Sequence, residues 1–159
     1  MGLELHREEV MSHPFTIALV CWRDGEPLLR AVREAVFLRE QQVPAELEWD
    51  GLDETCRHAL ALSTKGDAIG CGRIIPPKGK TPARIGRIAV LPEWRGKMVG
   101  TGLLEALLEY ARSMEYREVT VHAQVQALPF YRRFNFETEG KEFMDAGIPH
   151  IKMRLLLQQ

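Results

Sequence analysis

The chain has 159 residues with 21 basic and 22 acidic side chains, a formal net charge of −1 at pH 7, and is 45% hydrophobic and 27% charged. This is the balance of one soluble globular domain, long enough to bury a core without disulfide or metal clips, and it excludes a disordered segment or a stapled mini-protein. Near neutrality leaves no long-range field for nucleic acid or an anionic bilayer, so neither is expected as a partner.

The longest unbroken apolar run, 17–21, is far too short to span a bilayer, and residues 1–12 lack the basic-then-apolar order of a signal peptide. The expectation is a cytoplasmic protein with a tail over 1–13 and one domain over 14–159. Cys21, Cys56 and Cys71 are odd in number and never spaced as CxxC, which points to reduced thiols rather than a disulfide framework or a zinc site.

Residues 15–22 read as a strand closed by a turn at Arg23-Asp24-Gly25. From Glu26, with Pro27 suited to a first turn, Leu28, Leu29, Val32, Ala35, Val36 and Leu38 are spaced for one buried helical face, and Pro44 stops the helix. Glu46, Glu48, Asp50, Asp53 and Glu54 then form an acidic connection, either solvated loop or binding rim. Residues 57–63 and 68–75 flank Lys65-Gly66-Asp67 as a hairpin, Pro76 to Pro82 is a loop, and 84–91 is a strand ended by Pro92. Past Gly102, the residues Leu103, Leu104, Leu107, Leu108, Ala111 and Met114 recur at three and four, the strongest amphipathic helix in the chain. A strand over 118–123, a short helix over 127–133 and strands over 136–143 and 148–156 complete the order. The class is α+β or mixed α/β with one central sheet of six to seven strands.

Between the strand ending at Leu91 and that long helix stands Arg95-Gly96-Lys97-Met98-Val99-Gly100-Thr101-Gly102. A helix N-terminus presents unpaired N–H groups and a partial positive charge, and small residues let an anion approach them. The glycines alone would equally serve a tight turn; Arg95 and Lys97 beside them favour a phosphate cradle. Neither the nucleotide P-loop pattern nor the dinucleotide GxGxxG pattern is present.

Arg95-Gly96-Lys97-Met98-Val99-Gly100 resembles the acyl-coenzyme A signature of the GNAT superfamily of N-acetyltransferases, (Gln/Arg)-x-x-Gly-x-(Gly/Ala), with Met98 at the first glycine. A second signature of that family resembles Gln124, Ala127, Phe130-Tyr131 and Asn135-Phe136, where Gln124 replaces Asn and Asn135 replaces Gly. Asparagine readily takes the left-handed conformation such a glycine would supply. Arg39 to Pro44, Gly86 to Val90 and Gly147-Ile148-Pro149-His150 are similar to the small bacterial ElaA/YjcF-like subgroup.

The resemblance implies a sheet whose central strands splay to form an acyl-coenzyme A cleft, and acetyl-CoA as co-substrate. It implies an amine acceptor attacking the thioester directly. Backbone at Ile88, Ala89 and Val90 would bind the pantetheine, amides from Arg95 to Gly102 the pyrophosphate, and Gln124, Ala127 and Phe130 would complete the coenzyme site. Tyr131 would protonate the departing thiolate, its ordinary pKa being about 10. The strand before the phosphate loop offers no carboxylate for a base, which leaves His122, on the same strand face as Gln124, and His150 after a rigid turn. Glu40 or Glu48 could bind a cationic acceptor, and His58 could anchor the acidic loop. A non-catalytic acyl-CoA sensor or an interaction module remain alternatives. The apolar stretch from Ile148 to Leu157 suggests either a homodimer surface or a strand covered within the sheet.

Overall fold

The structure, a computed structural model, describes residues 14–158, so the tail expected over 1–13 lies outside the described residues. Strands β1 (Phe15–Cys21), β2 (Arg57–Ser63), β3 (Ala68–Ile75), β4 (Ala83–Val90), β5 (Glu118–Gln124), β6 (Glu137–Asp145) and β7 (Ile148–Leu156) form one seven-stranded sheet in the order β1-β2-β3-β4-β5-β7-β6. Every neighbouring pair is antiparallel except β4 with β5. Helices α1 (Trp22–Arg33), α2 (Ala45–Glu48), α3 (Val99–Ser113) and α4 (Leu128–Arg132) complete the mixed α+β architecture expected from the sequence. No helix among the described residues is long and apolar enough to cross a membrane.

The apolar stripe of α3 decides its seat. Leu103, Leu104 and Leu107 have no exposed surface and pack with Ile85, Val119, Val121 and Met153 on one sheet face; each such leucine contributes roughly 1.5–3 kcal/mol through burial. A second core lies on the opposite face, where Leu29, Val32, Val36 and Phe37 cover Leu60, Cys71 and Ala89. This second cover does not reach β5, β7 and β6, so part of the α1-side face of those strands is open: His122 stands exposed on it, while Thr120 and His150 on the same face are buried.

Three local expectations change. The segment Arg23-Asp24-Gly25 is not a turn: α1 starts at Trp22, and Pro27 lies inside the helix. Asp24 sits in the first turn, where the helix dipole favours an anion, and Gly25 is small because a Cβ there would come within 2.8 Å of Val20. The helix then widens into a π-helical turn over Glu34–Glu40, with the Gln41 amide donating to the Val36 carbonyl at 2.9 Å. Strand β7 lies between β5 and β6, with Met153 and Leu157 buried and only Leu156 strongly exposed, at 65%. Met153 and Leu157 are core while Ile148, Ile151 and Leu155 are half-buried, so an inner place in the sheet accounts for part of the apolar surplus.

One irregularity makes the cleft. Between Cys71↔Ala89 and Arg73↔Gly86 the β3–β4 register shifts, and Arg87 adopts a left-handed φ of 54°. This is a β-bulge, which bends its strand and disrupts pairing locally. Parallel pairing of β4 with β5 is confined to Ala83–Ile85 against Val119–Val121; beyond it the strands part.

Candidate active site

The gap between β4 and β5 opens into a cleft of about 530 Å³, walled by the α1–α2 connection on one side and the β6–β7 hairpin on the other. Ile88, His122, Gln124, Ala127, Tyr131 and His150 all line it, six of the residues singled out from sequence. Register explains part of this convergence, since Gln124 pairs with His150 and His122 with Lys152, on one face of the sheet.

Tyr131 is anchored in the α3-side core with its ring edge-on to Phe130 and Phe136. Burial pushes its phenol well above the ordinary value, so the group carries its proton throughout the physiological range. His122 keeps an exposed edge but is partly desolvated by the cleft walls, and it is held below its ordinary 6.5 first by that desolvation and then by the charge of Arg84, with Asp145 opposing. It stands edge-on to Phe143, whose other contact is a stack with His150. A ring nitrogen of His150 lies 2.7 Å from the Ile148 carbonyl, which leaves one ring nitrogen for the cleft. Gln124 bridges to the far wall: its amide donates to Gln41 Oε1 at 3.0 Å, while Gln126 donates to its oxygen at 2.7 Å.

The basic glycine loop sits apart from that cleft, at the N-terminus of α3. The helix begins at Val99, earlier than its leucine stripe suggests, so Val99, Gly100 and Thr101 hold first-turn amides free of intrahelical partners. Two amides of the expected set are already used, Arg95 donating to Pro92 O and Gly102 to Met98 O. Gly102 faces Phe15 and Ile17 of β1, so its smallness serves packing. Gly100 faces Phe130 and Val90 across ordinary contact distances. The Val99 side chain is core, and Ala89 is buried on the opposite face, leaving only their backbone for a ligand. Gly96 has a φ of 76° and Met98 a φ of 70°, the latter with its side chain 58% exposed. Lys97 lies over the Trp94 ring, and Asn135 takes the left-handed conformation, φ 71°, anticipated for it.

The carboxylates behave differently from the sequence expectation. Glu40 is absent from the cleft; it grips Arg95 through two bonds of 2.7 and 2.8 Å, and Arg95 Nε also donates to the Val90 carbonyl. This pairing draws the Glu40 carboxyl below its usual range. Glu48 and Asp53 are buried, not solvated. Arg33 donates to Glu48 at 2.7 Å and to Asp53 at 2.6 Å, and its guanidinium lies over the Trp49 ring. Arg73 binds Asp50 and Asp53, and Arg87 pairs with Glu48 at 3.1 Å and donates to the Glu48 carbonyl. Burial would raise the Asp50 carboxyl, yet Arg73 and Arg87 outweigh it and hold it at about 2. His58 does touch this segment, with Nε2 at 2.9 Å from the Asp53 carbonyl. Three guanidiniums neutralise the three carboxylates at 48, 50 and 53; of the expected acidic rim Glu46 and Glu54 stay exposed, and neither lines the cleft.

Sequence reasoning missed Arg33, Arg73, Arg87 and Gln41. Arg33 had a signal, since it falls on the same helical stripe as Leu29 and Val36, and an arginine on an apolar face demands a partner. Arg73, embedded in an apolar strand, had a weaker one. The left-handed conformation of Arg87 had none.

Known proteins share both the pattern and the architecture. Residues 26–157 match the family model described as an acetyltransferase (GNAT) domain. The uncharacterized N-acetyltransferase YjcF of Bacillus subtilis strain 168 is 37% identical over 123 residues, covering 77% of this chain and 86% of that protein. A crystal structure of an acyl-CoA N-acyltransferase from Pseudomonas aeruginosa superposes with a TM-score of 0.79 at 27% identity, covering 88% of this chain and 98% of the other. Escherichia coli ElaA gives 0.77 at 28% identity, with the same 88% and 98% coverage. With the splayed strands and the basic helix N-terminus in place, the chain belongs to the GNAT family of acyl-CoA-dependent N-acetyltransferases.

Proposed function

We propose that the protein moves an acetyl group from acetyl-CoA to a primary amine by direct attack, both substrates being held together in one ternary complex. The residues suit this co-substrate: the first turn of α3 contains no acidic side chain, offers the amides of Val99, Gly100 and Thr101, and is flanked by Arg95 and Lys97. A diphosphate group is matched by that donor set, with Gly100 keeping its approach clear. The bulged strand β4 offers backbone at Ile88–Val90 beside the cleft for the pantetheine and the thioester carbonyl.

When bound, acetyl-CoA supplies an activated acetyl thioester. The chain's own contribution is to hold and move protons around it. A ring nitrogen of His122, neutral at physiological pH because burial and Arg84 depress its pKa, takes the proton that the attacking amine must lose, directly or through water. The Tyr131 hydroxyl gives a proton to the sulfur as the carbon–sulfur bond breaks and the carbon–nitrogen bond forms. The observation that carries this reading is the meeting in one cleft of the buried Tyr131 phenol and the His122 imidazole. Environments that push two titratable groups apart suit them to opposite roles.

Thiol release measured across an amine panel tests it. Tyr131→Phe is expected to leave acetyl-CoA affinity intact while lowering the turnover number roughly 10²-fold; turnover equal to the parent removes the phenol from the chemistry. His122→Ala is expected to erase an acid limb whose midpoint lies below 6.5, the sign following from its depressed pKa. If that limb survives, His150 is the better base. Cytoplasmic residence fits three free cysteines, of which Cys56 and Cys71 are buried.

A further inference from the structure

Resting on that acetyl-transfer reading, the distribution of charge in the cleft points to the class of amine. Three arginines line it: Arg73, Arg84 and Arg87. Arg73 and Arg87 are held by Asp50, Asp53 and Glu48. On the neighbouring open sheet face, Lys152 lies 4.0 Å from Glu139 and Arg154 lies 3.3 Å from Glu118. Among the cleft's arginines, Arg84 alone has no described carboxylate within ion-pair distance and no side-chain hydrogen bond to a described residue. Yet it is only partly exposed, and it stands where the cleft begins, one residue before the last β4–β5 pair, opposite Thr120, which lies two residues before His122 on the same strand face.

A half-buried guanidinium with five donors and no partner is an anion site of planar, forked geometry. The anion it would take belongs to the acceptor, since the phosphate-binding loop lies elsewhere and is served by Arg95, Lys97 and the α3 amides. Asp145, on the hairpin wall, is the cleft-lining carboxylate outside the arginine network among the described residues; it is exposed and not within ion-pair distance of Arg84. The neighbours that register gives Arg84 are uncharged, Ile75 on β3 and Thr120 on β5. We infer that the acceptor is an amine that also carries a carboxylate, and that Arg84 binds this carboxylate and so determines specificity.

The test uses the full chain with saturating acetyl-CoA and matched acceptor pairs that differ only in a carboxylate: phenylalanine with phenethylamine, lysine with cadaverine, β-alanine with ethylamine. In at least one pair the carboxylated member is expected to show kcat/KM higher by about tenfold or more, as a charge-assisted contact provides. Compared at a pH well above 6.5, where His122 is neutral with or without the Arg84 charge, Arg84→Gln should abolish that preference chiefly through KM, and Arg84→Lys should restore part of it. Equal rates within every pair, a preference for the decarboxylated member, or a preference that survives Arg84→Gln would overturn the inference while leaving acetyl transfer intact. Absence of thiol release with every amine, with acetyl-CoA binding measured by titration, would instead overturn the underlying reading and this inference with it. The wild-type comparison decides the matter even if a variant fails to fold.

Discussion

The α3 N-terminal loop and the Glu46–Glu54 segment are both short, charged and rich in turn-forming residues, but they do opposite things with their charge. In the loop, Arg95 and Lys97 keep their charges near solvent, each with a partner close by, Glu40 for one and the Trp94 ring for the other. In the acidic segment, Glu48 and Asp53 are taken out of water and met by arginines from α1 and β3. A charge at a helix end can exchange partners with an incoming anion, whereas a buried charge commits its partners, because leaving either one alone in a low-dielectric interior is costly. The first region is suited to binding, the second to holding the acceptor wall still.

The largest effect expected from this contrast is on stability. Arg33→Ala would leave Glu48 and Asp53 buried with one guanidinium fewer, and should cost about 3–5 kcal/mol in denaturant unfolding; a loss under about 1 kcal/mol, the range of surface pairs, would erase the distinction between the two regions. A smaller effect is expected from pH. Asp50 and Asp53 have folded pKa values below their unfolded ones, so the stability they contribute is complete above about pH 4 and is lost as pH falls toward 2. His58, depressed by burial, adds a loss of the same sign that starts as pH falls through 6.5. Asp50→Asn should flatten the acid part of the measured stability curve, and an unchanged curve would mean the carboxylate is not linked to folding.

On the loop side, Gly100→Val should crowd Phe130 and Val90 and obstruct the first-turn amides, weakening acetyl-CoA binding by calorimetric titration about tenfold or more, roughly 1.4 kcal/mol. The fold should persist, and Gly100→Ala, whose added carbon meets only ordinary contacts, should bind nearly as the parent does. The smallest effect belongs to Met98. Its left-handed φ of 70° is unfavourable for a side chain, so Met98→Gly should raise stability by about 1 kcal/mol or less. A loss of that size would mean the exposed side chain makes a contact that outweighs the strain.

Much of the architecture was legible because it follows from local periodicity. The leucines of α3 recur at three and four, β2 and β3 flank a Lys-Gly-Asp turn, and prolines end β4, so the element order could be read without tertiary knowledge. The glycine loop was legible for the same reason: strand, basic turn and helix are contiguous, and contiguity alone puts free amides beside Arg95 and Lys97. Misreadings arose where one residue type serves two physical ends. Gly25 was read as a turn but permits close packing against Val20, and Gly102 was read as part of the cradle but makes room for β1.

What the sequence determined by itself was therefore the class of fold, a helix terminus with free amides beside basic side chains, His122 and Gln124 at the end of β5, and Tyr131 on the short helix that follows. Tertiary structure alone decided which charges are spent and which are free. The carboxylates at 48, 50 and 53 look like a rim in one dimension, and only folding brings Arg33, Arg73 and Arg87 onto them from 15 to 39 residues away. Folding likewise leaves Arg84, no different in sequence from its neighbours, at the mouth of the splayed strands without a counter-ion. Periodicity is a property of adjacent residues, but the neutralisation of a charge depends on distances across the fold, and those are set by packing.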